Sequence, residues 1–147
     1  MVSFRPKLPL IGLLAALLTV STAAGAQTAP AGFQLELNNA SNTEAGGCQL
    51  TYVATNGSDK DLSQTAWQVG VFDSGGVVRR ILVMEFGALP PGKTRIVLFN
   101  LTDQSCTDIS RIIVNEVAQC TLASGEASDV CMTGLATSSR TDIQFGM

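Results

Sequence analysis

The side chains that could do chemistry in this sequence are few. Cys48, Cys106, Cys120 and Cys131 are its thiols, and histidine is absent. Without histidine the chain lacks the usual general base, the commonest metal ligand and every Ser-His or Cys-His nucleophile arrangement. A Ser-Lys dyad would have to use Lys60 or Lys93, because Lys7 falls in an N-terminal leader; both stand in turn-like contexts and read as solvated. The cysteines are separated by 57, 13 and 10 residues, with no C-x-x-C pair. That spacing suits neither a zinc knuckle nor a redox-active dithiol. An even count in an exported chain reads instead as two disulfides.

The remaining candidates have plainer readings. Asp59 and Asp61 flank Lys60 and could open a calcium loop, but no further oxygen ligands follow at the required spacing, so a turn is expected. Glu126 and Asp129 could pair as acid and base; on a loop between two cysteines they read as solubilising. Arg79 and Arg80 could bind an anion. As neighbours on a strand they are expected to point to opposite faces, so a shared bidentate clamp is not expected. Trp67 could be a ligand platform, but on a central strand it reads as core. Asn39, Asn56 and Asn100 each begin an N-x-S/T sequon. No catalytic, cofactor-binding or metal-ligating residue is expected, and no cofactor.

What must position these residues follows from the rest of the chain. Arg5 and Lys7 precede a 13-residue uncharged apolar run, Leu8 to Val20, and Ala24-Gly25-Ala26 forms an A-x-A site before Gln27. This is the pattern of a cleavable secretory leader, residues 1–26, for a secreted or periplasmic protein. The run is shorter than the roughly 20 residues that span a bilayer, so a retained anchor fits less well. Loss of Arg5 and Lys7 takes nine basic residues to seven against twelve acidic ones, moving the net charge from −3 to −5. That sign argues against nucleic acid or anionic lipid as the main partner. No second long apolar run exists, so the mature chain is not expected to span a membrane.

Residues 27–32 read as a flexible tail. Alternating apolar and polar positions then predict strands at Phe33–Leu37, Cys48–Thr55, Trp67–Val71, Arg95–Leu101 and Arg111–Val117. Asn38–Gly47 reads as loop. Val77–Phe86 is a continuous apolar return, suited to a strand covered on both faces or to two short strands with a kink. Asp73-Ser74-Gly75-Gly76 and Pro90-Pro91-Gly92-Lys93 read as turns. Leu135–Arg140 and Ile143–Phe145 add one or two strands. No window carries a helical period. About seven strands predict an all-β fold, an antiparallel immunoglobulin-like sandwich over residues 33–147, with a small closed barrel as the alternative.

The segment Val69-Gly70-Val71-Phe72-Asp73, then Gly76-Val77-Val78, Gly87-x-Leu89-x-Pro91-Gly92 and Phe99, resembles the small exported sandwich domains of the FxLYD type. The likeness covers about residues 50 to 101 and implies a strand, a hairpin, a return strand and a Pro-Gly turn. The whole chain also resembles small secreted and periplasmic proteins of Gram-negative bacteria. Neither likeness implies a chemistry.

The strand order of such a sandwich places the second and fifth strands side by side and antiparallel. Cys48 opens the second and Cys106 follows the fifth, so they meet at one pole. Cys120 ends the sixth strand at the opposite pole, roughly 25 Å away at about 3.3 Å per residue. Disulfide Cα atoms must lie within about 7 Å, so Cys48–Cys106 and Cys120–Cys131 are the expected pairs. Three functions stay open: a non-catalytic domain binding a protein or envelope component, a carrier with an apolar pocket, and a carboxylate-based hydrolase.

Overall fold

The computed structural model describes Met1 and residues 31–147; the rest of the leader, its cleavage site and residues 27–30 lie outside the described residues. Eight strands follow in order: β1 (Phe33–Asn42), β2 (Cys48–Asn56), β3 (Leu62–Asp73), β4 (Val78–Glu85), β5 (Thr94–Leu101), β6 (Ile109–Leu122), β7 (Ala136–Ser139) and β8 (Gln144–Gly146). Among the described residues one 3-10 turn, Cys106–Asp108, precedes β6. Two four-stranded sheets, ordered β5-β2-β1-β7 and β4-β3-β6-β8, face each other as a sandwich.

Alternation decides which side chains meet between the sheets. Leu50, Tyr52 and Ala54 of β2 face Trp67, Val69 and Val71 of β3, and all are buried. An aromatic chain runs through this layer. The Trp67 ring lies 5.6 Å from Phe33 and 5.4 Å from Phe86. Tyr52 stands edge-on to Phe86, Phe99 and Phe145. Such tilted pairs add about 0.5–1.5 kcal/mol each beyond the area they bury. Trp67 is therefore core, as its place on a central strand implies.

Local chemistry sets the turns. Lys93 N–H donates to the Pro90 carbonyl at 3.0 Å, and Gly92 between them takes φ +71°, the conformation a type II turn demands at that position. The Asp73 carboxylate accepts from the amides of Gly75 and Val77 and so closes the β3–β4 hairpin.

Several expectations are corrected. β1 does not stop at Leu37. Its register slips by one residue between Leu37 and Asn39, and pairing with β2 resumes to Asn42, so Asn38 is a bulge and the loop is only Thr43–Gly47. Gly32 belongs to the fold rather than to a tail: its carbonyl accepts from Gly57 N–H, and a Cβ there would collide with the Gly134 carbonyl. β4 is not covered on both faces. It is an edge strand, and its apolar run splits into inward Leu82 and Met84 and outward Ile81 and Val83.

The end of the chain departs most from an all-antiparallel sandwich. β7 pairs parallel with β1 in one sheet, and β8 pairs parallel with β6 in the other. The chain thus crosses from sheet to sheet at residues 140–143. Ser139 Oγ donates to the Ile143 carbonyl at 2.7 Å across that bend.

The two poles are each closed by a disulfide. Cys48 joins Cys106 with Cα atoms 4.8 Å apart, and Cys120 joins Cys131 at 6.0 Å. The second and fifth strands are neighbours, with Cys48 opposite Leu101, which is the juxtaposition the strand order implies.

Candidate functional site

Both outer faces expose apolar side chains, Ile96 and Leu98 on β5 among them, but the outer face of the β4-β3-β6-β8 sheet combines them with an apolar dimple. Gly70, at the middle of β3, opposes Ile81 on β4 and Ile113 on β6. Phe72, two residues on, opposes Val78 and Arg111. A glycine between two isoleucines leaves a dimple of about 110 Å³ lined by Gly70, Phe72, Val78, Ile81, Ile113 and Asn115. Val78 is 46 %, Ile81 62 % and Val83 47 % exposed, so three apolar side chains of one strand stand in solvent beside it.

Polar groups fence this apolar centre. The Arg111 guanidinium lies 4.1 Å above the Phe72 ring, a cation–π contact that covers one side of the aromatic. Asn115 Nδ2 donates to Gln68 Oε1 at 2.7 Å and fixes the opposite border. An apolar centre within a polar rim is the anatomy of a protein–protein contact patch. The dimple can accept one apolar side chain of a partner. Gly70 has ordinary strand geometry, and a Cβ there would come no nearer than 3.6 Å to Phe72, so the cavity can be filled without strain.

The sequence reading missed this site. The apolar run at residues 77–86 was its signal, but taking that run as doubly covered hid the exposed half. Only pairing shows that Gly70 sits in the row of Ile81 and Ile113.

The residues singled out from the sequence fall elsewhere. Arg79 and Arg80 border the same concavity, although they are neighbours on one strand. The β3–β4 register skips Arg79 between the pairs Phe72–Val78 and Val71–Arg80. Both arginines line one open concavity of about 480 Å³ with Asp73, Ser74, Asp103, Gln104 and Asp108. Three carboxylates offset two guanidiniums there, and Arg79 already approaches Asp73 at 3.9 Å.

Asp59, Lys60 and Asp61 form an exposed turn, with Lys60 Nζ 3.5 Å from Asp59. Its anchor is Asn56, whose Nδ2 donates to the carbonyls of Lys60 and Leu89 at 2.8 Å each. Among the described residues no cluster of three or more His, Cys, Asp or Glu could hold a metal ion. Glu126 Oε2 accepts from Ser124 Oγ, and the main-chain carbonyl of Asp129 accepts from the amides of Met132 and Thr133. Lys93 sits exposed in the Pro-Gly turn. Of the sequon asparagines, Asn39 and Asn100 are exposed and Asn56 is fully buried.

No helix among the described residues is long and apolar enough to cross a membrane. No family model matches the chain, and no curated protein does. Among solved structures the chain is similar to IrmA from Escherichia coli, with a TM-score of 0.54 at 12 % identity over 72 % of this chain and 90 % of that one. At that identity the likeness is one of fold: both are β-rich.

Proposed function

We propose that this chain is an exported, non-catalytic binding module that takes a protein partner on the outer face of its β4-β3-β6-β8 sheet. The observation that carries the reading is the apolar patch around Gly70, with Phe72, Val78, Ile81, Val83 and Ile113 inside a rim of Arg111, Asn115 and Gln68. Export accords with the leader-like N-terminus and with two disulfides, which persist in oxidising compartments. The likeness of residues 50 to 101 to FxLYD-type domains accords with a small exported sandwich but adds no chemistry. A carrier would need an enclosed apolar cavity, whereas the concavity beside Arg79 and Arg80 is open and mostly polar-lined.

The test is site-specific photo-crosslinking in the cell envelope of the source organism. A photoreactive residue at Ile81 or Ile113 is expected to trap a defined partner, and Gly70→Leu, which plugs the dimple, is expected to abolish the product. The same probe at Thr51, on the outer face of the other sheet, is the control. Identical products from both faces, or products indifferent to Gly70→Leu, would reject the reading.

A further inference from the structure

The free edge of β4 carries information of its own, separate from the face beside it. β3 pairs with one side of β4, and the other side has no partner among the described strands. Exposed edges invite pairing with another chain, and proteins guard them with lysines, prolines, bulges or inward charges. Here the guards stand only at the N-terminal end, where Arg79 is the bulge and Arg80 turns inward. From Ile81 to Glu85 the register is regular, without proline or glycine. The two outward apolar side chains of that stretch are exposed.

The charges of β4 are also polar along the strand: Arg79 and Arg80 at its start, Glu85 at its end. An antiparallel copy reverses that order and sets each end against its opposite. We propose that the occupant of this edge is a second copy of the chain, paired β4 to β4 about a two-fold axis at Leu82. Opposed residues in an antiparallel ladder share a face, so the axis must keep outward residues against outward ones. At Leu82 it sets Ile81 against Val83 of the second copy, twice, and brings Glu85 to the arginine end of its neighbour. An axis at Val83 would put Glu85 against Ile81, and one at Ile81 would carry Glu85 past the bulge. The contact is isologous, and therefore closes as a dimer rather than growing into a fibre. It joins two four-stranded sheets into one of eight strands and brings the two apolar patches together.

Reciprocal charge reversal tests the register, and it reads self-association, not the partner trapped by the face. The exported protein is expected to sediment as a dimer at micromolar concentration, with the free-side amides of β4 protected from hydrogen exchange only when concentrated. Glu85→Arg alone should set like charges opposite and weaken the dimer about tenfold. A chain with Arg79→Glu and Arg80→Glu should weaken likewise. Mixed in equal amounts, the two variants should recover wild-type affinity as a heterodimer, which shows at once that both are folded. A wild-type chain that stays monomeric up to about 1 mM, far above the micromolar range expected, overturns the proposal. So does a mixture that associates no better than either variant alone.

Discussion

The indole Nε1 of Trp67 donates to the carbonyl oxygen of Cys131 at 3.1 Å, inside the protein. The bond ties the centre of β3 to the loop that follows β6, and Trp67 itself is fully buried against Phe33 and Phe86. One residue therefore joins the aromatic core, the disulfide at that pole and the crossing toward β7. Trp67→Phe keeps a ring but removes the donor and leaves the carbonyl unpaired, at a cost of about 3 kcal/mol from cavity and lost hydrogen bond together. Urea denaturation should show the midpoint falling, and near-ultraviolet dichroism should show looser packing.

The two disulfides close loops of very different length. Cys48–Cys106 spans 58 residues and Cys120–Cys131 spans 11. In the chain-entropy view, replacing the first pair by alanine costs about 4 kcal/mol and the second about 3. Non-reducing peptide mapping should find these two pairs. Denaturation of the paired alanine variants should rank them in that order.

Tyr52 is a buried aromatic whose hydroxyl finds no hydrogen-bond partner among the described residues. Burial also pushes its phenol far above the ordinary value, so it stays neutral at any working pH. Tyr52→Phe keeps the edge-on contacts with Phe86, Phe99 and Phe145 and removes an unpaired polar atom. It is expected to raise stability by about 1 kcal/mol. A loss of more than that amount, read from the urea midpoint, would mean that the hydroxyl is engaged.

The Glu36 carboxylate receives hydrogen bonds from Arg140 Nε and Asn38 Nδ2, both at 2.8 Å, and these hold it below its ordinary value of 4.5. A carboxyl whose pKa is lower folded than unfolded stabilises the fold above about pH 4.5 and stops doing so as pH falls through its folded pKa. The Arg140 side chain is 68 % exposed, so the effect is small and shrinks with salt. Arg140→Ala should lower the urea midpoint slightly at pH 7, and the gap from wild type should close on acidification toward pH 3. A gap that widens on acidification would contradict the assignment.

How much of this was legible beforehand differs from element to element. Strict alternation at Cys48–Thr55 and Arg95–Leu101 marks strands because one face of each must be buried and the other wet. The Pro90-to-Lys93 turn follows from Pro91 and Gly92 alone, since their allowed backbone angles leave little choice. The disulfide pairs follow from strand order and chain reach. These are local constraints, or global ones that short distances make unavoidable.

Other features depend on what lies beside a residue in space. The apolar run at Val77–Phe86 suits a covered strand and an exposed edge equally well, because hydrophobicity does not state how many neighbours a strand has. The bulge at Arg79 is a slip between two strands, and neither strand encodes it alone. The parallel pairing of β7 and β8 arises where a short C-terminal segment satisfies its backbone on whichever edges remain. By itself the sequence determined an all-β chain with two disulfides, through period-two patterning and cysteine reach. Only the tertiary structure decided that Gly70 lies between Ile81 and Ile113 as the floor of an apolar patch, because that depends on register across three strands, and register is settled by packing.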